Sequence, residues 1–279
     1  VNNLNNLQFY PVRPKMNDLK IVALSCCMEA LGIDSENLLW SKLKTDYADS
    51  FSDLIDRTRF NRRRRRLSAQ IERVQHHVGK HLEHLSGTMS VDSIPVPVVK
   101  MVREKTFRSF KKDFETAPAK GYSAVNKSWY IGYKLHLMIF ENGVIQQGAI
   151  TKANVHDINF LKQIDNLPAK KEILGDRAYI SKTVQTDLFY NHEVKLTVPF
   201  RQNQHDYKKY PRKNKSKRQM VETVFAQLCD HLNLKKNYAK SYAGIAARLT
   251  SKLSGVSLLQ FINYRNGNKI SKIKHALSF

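Results

Sequence analysis

The apolar pattern changes period at Gly87, and that change constrains the fold more than any other feature of the 279 residues. Before Gly87, apolar residues recur at helical spacing; after it they form short strand-like runs. Such runs occupy 88–94, 130–140 and 143–151, and Glu141-Asn142-Gly143 between the last two is a hairpin turn sequence. A helix is then expected over about 156–166, a strand at 172–176, a helix at 181–190 and a strand at 194–198. A polar, basic loop over 199–217 leads to helices near 218–233 and 242–264. Three strands followed by alternating helix and strand predict an α/β fold, a mixed sheet flanked by helices.

Residues 1–87 read as an all-α region. Asn17 or Asp18 can cap a helix that stops at Gly32, and Asp34 or Ser35 can open a second through Leu39, Leu43 and Tyr47. A long helix is expected from about Arg62 to Leu85, carrying Leu67, Ile71, Val74, Val78 and Leu82 at helical spacing. Several short helices with a basic helix at the end suit a helix-turn-helix type of DNA-binding module. The expected division is therefore a helical DNA-binding region at 1–87 and an α/β region with C-terminal helices at 88–279.

Charge narrows the partners. Forty-seven Lys and Arg against 24 Asp and Glu give a formal charge of +23. A field of that sign attracts polyanions, nucleic acid foremost. A membrane surface is disfavoured, since no basic amphipathic helix stands out and no apolar run reaches spanning length. Three cysteines without a C-x-x-C pair argue against a disulfide framework and a zinc finger, and fit a reducing cytoplasm.

Within this basic chain three acids sit in settings that present them. Asp92 interrupts the run M-S-V-D-S-I-P-V-P-V, Asp176 ends K-E-I-L-G-D, and Glu222 lies on the helical segment K-R-Q-M-V-E-T-V-F-A-Q-L. A carboxylate at a strand end is costly unless hydrated, paired or bound to metal. Hard oxygen ligands select Mg²⁺ or Mn²⁺, and two such ions roughly 3.5–4 Å apart serve in-line phosphoryl transfer. Glu222 falls at the edge of the stripe Val221, Val224, Phe225, Leu228 and Leu232, with Arg218 one turn earlier on the same side. Arg218 can thus meet a phosphate beside Glu222; the competing reading is a surface i,i+4 ion pair. Taken singly, Asp92 can instead cap a strand before Pro95, and Asp176 can open a turn before Ser181.

The ordered words D-S-I-P-V-P-V, G-Y-K-L-H-L, T-K-A-N-V-H-D-I, L-G-D-R-A-Y and R-x-x-x-E resemble the DDE transposases of bacterial insertion sequences, most closely the insertion-sequence 982 family. The resemblance extends from N-N-L-Q-F-Y-P-V-R-P-K-M to L-L-Q-F-I-N-Y-R, essentially the whole chain. It implies an RNase H-like catalytic domain with Asp92, Asp176 and Glu222 as catalytic and metal-binding triad, using two Mg²⁺ (or Mn²⁺) ions. Related enzymes often carry Y-x2-R-x3-E-x6-K around the glutamate. Arg218 and Glu222 match, but Lys215 and Cys229 stand at the Tyr and Lys positions. The DNA contact of that lysine is not carried over, and Lys235 and Lys236 follow as candidates to replace it.

The remaining candidates concern DNA. Lys134 and His136 share a strand face by alternation, and Asp157 follows His156 at the start of a helix. In similar transposases this neighbourhood lies close to the metal site, so either histidine is a candidate to touch phosphate or orient a carboxylate; a structural histidine or a helix cap is the alternative. Arg57, Arg59 and the block Arg62, Arg63, Arg64, Arg65 and Arg66 suit phosphate contacts, as do Lys208, Lys209, Arg212 and Lys213 with Tyr207 and Tyr210 interleaved.

The expected function is a transposase that cleaves double-stranded DNA at an element's terminal inverted repeats and joins the 3′-OH ends to target DNA. It would act in the bacterial cytoplasm as a homodimer or larger synaptic assembly. The rivals are an RNase H-like nuclease that does not join strands and an inactive copy that only binds DNA.

Overall fold

The computed structural model describes residues 6–110, 113–164, 167–201, 203 and 207–278. They fall into two compact units, and the helical one is discontinuous in sequence: Val1–Val78 group with Gln227–Asn268 and Lys272–Phe279. The second unit is Gly79–Ala226 with Lys269–Ser271.

In the helical unit, helices α1 (Asp18–Ala30), α2 (Glu36–Thr45), α3 (Arg57–Arg66) and α4 (Ser68–Leu82) follow one another. The long C-terminal α8 (Tyr242–Arg265) packs on α1 and α3. Of the alternative caps, Asn17 and Ser35 are used, each side chain accepting an amide hydrogen bond from the third residue onward. Met16, Ile21, Met28, Phe60, Leu67 and Ile71 are wholly buried in one core, each stabilising by roughly 1.5–3 kcal/mol. Gly255 lets α8 approach closely, since a Cβ there would sit 3.1 Å from the Cys26 carbonyl oxygen. The single helix expected over 62–85 is two helices: the backbone leaves helical geometry at Leu67, with φ −93° and ψ 13°. Apolar spacing runs unbroken across that point, so periodicity alone could not register the break. Among the described residues no helix is long and apolar enough to cross a membrane.

The second unit is built on a six-stranded sheet: β1 (Thr88–Val99), β2 (Ala119–Ser123), β3 (Ser128–Phe140), β4 (Ile145–Lys152), β5 (Glu172–Leu174) and β6 (Lys195–Thr197). Strand β3 pairs antiparallel with β1 on one side, and with β2 and β4 on the other. Strands β1, β5 and β6 run parallel. With α5 (Ile158–Leu161), α6 (Lys182–His192) and α7 (Arg212–Asp230) this is the mixed α/β sheet flanked by helices that was expected. The Asn142-Gly143 turn forms as read: Gly143 takes φ 89° and its amide donates to the Phe140 carbonyl at 2.9 Å.

Three expectations are corrected. Strand β2 was not foreseen; A-K-G-Y-S carries little apolar patterning and is held by pairing with Ser128–Gly132 of β3. The helix expected over 156–166 shortens to Ile158–Leu161, and residues 165 and 166 lie outside the described residues. Helix α7 begins at Arg212 rather than near 218, because Pro211 ends the loop and the polar R-K-N-K-S-K segment is helix-competent. The Pro211 carbonyl accepts from the Asn214 and Lys215 amides.

Candidate active site

Strand register sets the site. Strands β1 and β5 pair in parallel with Ser90 opposite Leu174. Asp92 lies two residues beyond Ser90, and Asp176 two beyond Leu174, so the two carboxylates emerge at the same level on neighbouring strands, which are spaced by roughly 4.8 Å. The L-G-D-R-A-Y word explains how Asp176 is held. Its Oδ1 accepts from the Ala178 amide at 2.8 Å, capping a short 3-10 turn over Arg177–Tyr179. Tyr179 folds back over Gly175, where a Cβ would meet the tyrosine Cβ at 3.0 Å.

Electrostatics mark the same spot. Burial pushes the Asp92 carboxyl up to about 6, and the charges of Asp176 and Asp157 add to the rise. The Ser93 amide, donating to Asp92 Oδ1 at 2.8 Å, and Arg218 oppose it. Arg218 Nη2 lies 3.6 Å from Asp92 Oδ2, while its buried Nε makes no hydrogen bond among the described residues. Tyr179 is wholly buried, and among the described residues its hydroxyl has no hydrogen-bond partner. Burial raises its pKa, and the charges of Asp157, Asp92 and Asp176 push it further.

Around this pair, Lys134 Nζ binds Asp157 Oδ1 and the Val155 carbonyl, both at 2.7 Å. His136 is wholly buried, stacked on Phe160, with Nε2 2.8 Å from Thr151 Oγ1. Burial lowers its pKa to about 4, Asp157 opposing and Lys134 assisting, so the ring is neutral at pH 7. Asp157 and Tyr179 are the neighbours that periodicity did not single out, although both lie inside the words V-H-D-I and L-G-D-R-A-Y.

Glu222 lies on the helix that carries Arg218. It is exposed on α7, one turn beyond Arg218, while Val221, Val224, Phe225 and Leu228 are buried as the stripe predicted. The structure thus brings Asp92, Asp176, Asp157 and Arg218 into one electrostatic cluster, with Glu222 exposed one helical turn beyond Arg218. Asp92 and Asp176 are hard oxygen donors side by side, and their repulsion is the condition a divalent cation relieves, so the pair fits such an ion. Among the described residues no three His, Cys, Asp or Glu form a ready-made ligand cluster.

The basic residues divide. Arg62, Arg65 and Arg66 are exposed. Arg63 is tied to Asp18 and the Met16 carbonyl, and Arg64 is buried against Glu29 and Glu36. Lys208, Lys209, Arg212 and Lys213 are exposed ahead of and on the first turn of α7.

Asp92 within β1 and Asp176 just past the end of β5 place two carboxylates side by side on a mixed sheet in a strongly basic chain, an arrangement suited to metal-assisted phosphoryl transfer. Residues 82–242, more than half of the chain, match the family model described as a transposase DDE domain, and the chain belongs to that family of DNA-transposing proteins. Members generally use divalent metal ions. A cryo-EM structure of the piggyBac transposase synaptic complex with hairpin DNA is similar at a TM-score of 0.47 and 11% identity, over 99% of this chain and 73% of that one. No curated protein matches the chain.

Proposed function

We propose that the protein is the transposase of a bacterial insertion sequence, closest to the insertion-sequence 982 family by its motif words. It cleaves phosphodiester bonds at the terminal inverted repeats and joins the freed 3′-OH to target DNA. The adjacency of Asp92 and Asp176, set by the β1–β5 register and felt in the raised Asp92 carboxyl, carries this reading.

Asp92 and Asp176 would hold divalent metal, with Glu222 of α7 as third ligand; two Mg²⁺ or Mn²⁺ ions, when bound, supply activation of the attacking oxygen and stabilisation of the leaving one. Arg218, now against Asp92, is the cation placed to meet a phosphate beside them. His136 and Lys134 act from behind, fixing Thr151 and Asp157. In the first reaction water adds to phosphorus and the 3′-oxygen leaves, taking up a proton. In the second that 3′-OH adds to a target phosphodiester and displaces the target's own 3′-oxygen. One site serves both because only the nucleophile changes.

The exposed Arg62, Arg65 and Arg66, together with Lys208, Lys209, Arg212 and Lys213, would contact the DNA backbone. Residues 1–87 would read the terminal repeats and the region from 88 onward carry the chemistry, in a homodimer or larger assembly that pairs two ends in the bacterial cytoplasm.

The test is cleavage of the element's own end DNA with Mg²⁺ or Mn²⁺ by wild type and Asp176→Asn. Metal-dependent nicking at the element boundary, lost in the variant while duplex binding persists, is the expected result. Equal cleavage by both would place the chemistry elsewhere. Binding without cleavage by either protein would favour the inactive-copy reading; supplying a pre-cleaved 3′-OH end separates a nuclease from a joining enzyme.

A further inference from the structure

We propose that a cleft in the helical unit binds a phosphate group of a DNA backbone. The cleft has a volume of about 530 Å³ and lies among α3, the start of α2 and the N-terminus of α8. Helix α3 lines it with Arg57, Arg64 and Arg65; α8 and its approach supply Lys240, Ser241 and Arg248. Two carboxylates also line it, Asp34 and Glu36. Glu36 is already engaged, by Asn61 at 2.8 Å, Arg57 at 3.4 Å and Arg64 at 3.5 Å. Five cationic side chains therefore face two acids, one of them committed.

Helix α8 adds the positive end of a 24-residue dipole, capped by Ser241, whose side chain accepts from the Gly244 amide. The helix end alone would not define a site; Arg248 does. Side chains on a helix lean toward its N-terminus, and Arg248 lines the cleft although only 7% of it is exposed. Its buried Nη2 and Nε make no hydrogen bond among the described residues. Its charge partner is Glu29 Oε1, 3.4 Å from Nε. Glu29 is already shared with the buried Arg64, at 2.7 Å, and with Lys252. Glu29 thus serves three buried cations; Glu36 offsets Arg64 in part but is shared with Arg57, so positive charge remains in excess at the cleft. Buried charge of this kind is costly until a second anion completes it.

The anion is a DNA phosphate by the setting. The chain carries +23, and the exposed Arg62 and Arg66 extend the basic surface of α3 beyond Arg65. That choice of occupant rests on the reading of the chain as a DNA-processing protein; the demand for an anion does not.

The experiment titrates the full-length protein with inorganic phosphate by calorimetry and with a fluorescent duplex by anisotropy. Wild type is compared with Arg248→Gln, with Lys240→Glu at the exposed rim, and with Lys274→Glu, a charge-matched exposed control that does not line the cleft. Phosphate should bind saturably at one site per chain and compete with duplex. Both cleft variants should weaken phosphate binding on the order of tenfold or more, as loss of a charged hydrogen-bond donor predicts, and Lys240→Glu should weaken duplex binding well beyond Lys274→Glu. Because Arg248→Gln can disturb folding, the Lys240→Glu comparison decides. Saturable phosphate that does not compete with duplex would overturn a DNA occupant, and the absence of saturable phosphate, or equal effects of Lys240→Glu and Lys274→Glu, would overturn the site. None of these readouts needs cleavage, so a protein that never cuts but shows the Lys240 effect would sink the catalytic reading alone.

Discussion

Glu29 in the helical unit is a buried carboxylate and Asp92 in the sheet unit a part-buried one, and their surroundings are opposite. Glu29 is encircled by Arg64, Arg248 and Lys252. Burial alone would raise its pKa, but those three charges outweigh burial and hold it below the usual carboxylate range. Asp92 has Arg218 at 3.6 Å and two further acids nearby, and it is pushed up to about 6. A buried acid among cations holds structure together; a buried acid crowded by acids is held at a cost that the fold itself does not need. That contrast separates a structural ion cluster from a candidate site more clearly than burial does.

The sharpest way to break the comparison is Glu29→Gln. It would leave Arg248 and Lys252 without a carboxylate and Arg64 with Glu36 alone, and should destabilise the protein by about 3–5 kcal/mol, read from denaturant unfolding. The same charge accounts for acid sensitivity. The folded pKa of Glu29 is depressed, so its contribution is fully present above the unfolded value of about 4.3 and is lost as pH falls through the folded value. The unfolding midpoint should drop on acidification below about pH 5, and Glu29→Gln should flatten that limb; an unchanged limb would remove Glu29 from the account.

Next in size, Asp176→Asn should reduce cleavage by at least about 100-fold, the scale seen when one preorganised transition-state contact is removed, with duplex binding retained. Asp92→Asn should separate stability from function. Removing a crowded charge should leave the metal-free protein as stable as wild type or up to about 1 kcal/mol more stable, while cleavage fails. A large destabilisation would make Asp92 a structural acid like Glu29. The smallest effect is expected from Arg66→Ala, exposed on α3, which should lower the salt dependence of duplex binding by about one phosphate contact and leave stability unchanged.

Local signals were legible where the chemistry is local. The Asn142-Gly143 turn, the Asn17 and Ser35 caps and the buried stripe of α7 all appear where residue type and spacing place them. The L-G-D-R-A-Y word was visible as a motif, but its meaning needed coordinates: Gly175 makes room for Tyr179, and Asp176 caps the turn between them. Strand β2 was hidden because its stability comes from the partner strand and not from its own five residues. The arginine block read as one surface, yet Arg63 and Arg64 point into ion pairs while Arg62, Arg65 and Arg66 remain exposed, a division set by which helix face meets α1 and α8.

By itself the sequence determined the succession of helices and strands, the strongly basic charge, and the acids around which a site would have to form, since each of these follows from neighbouring residues or from composition. Tertiary structure alone decided which acids meet. Ser90 opposite Leu174 brings Asp92 and Asp176 level across 84 residues of chain, the loop before α5 brings Asp157 beside them, and Glu222 is left on the exposed face of its helix. It also returned α8 to the N-terminal helices, so that Arg248 and Lys252 share Glu29 with Arg64. Pairings of that kind depend on register and packing between distant segments, and a one-dimensional pattern carries periodicity but not register.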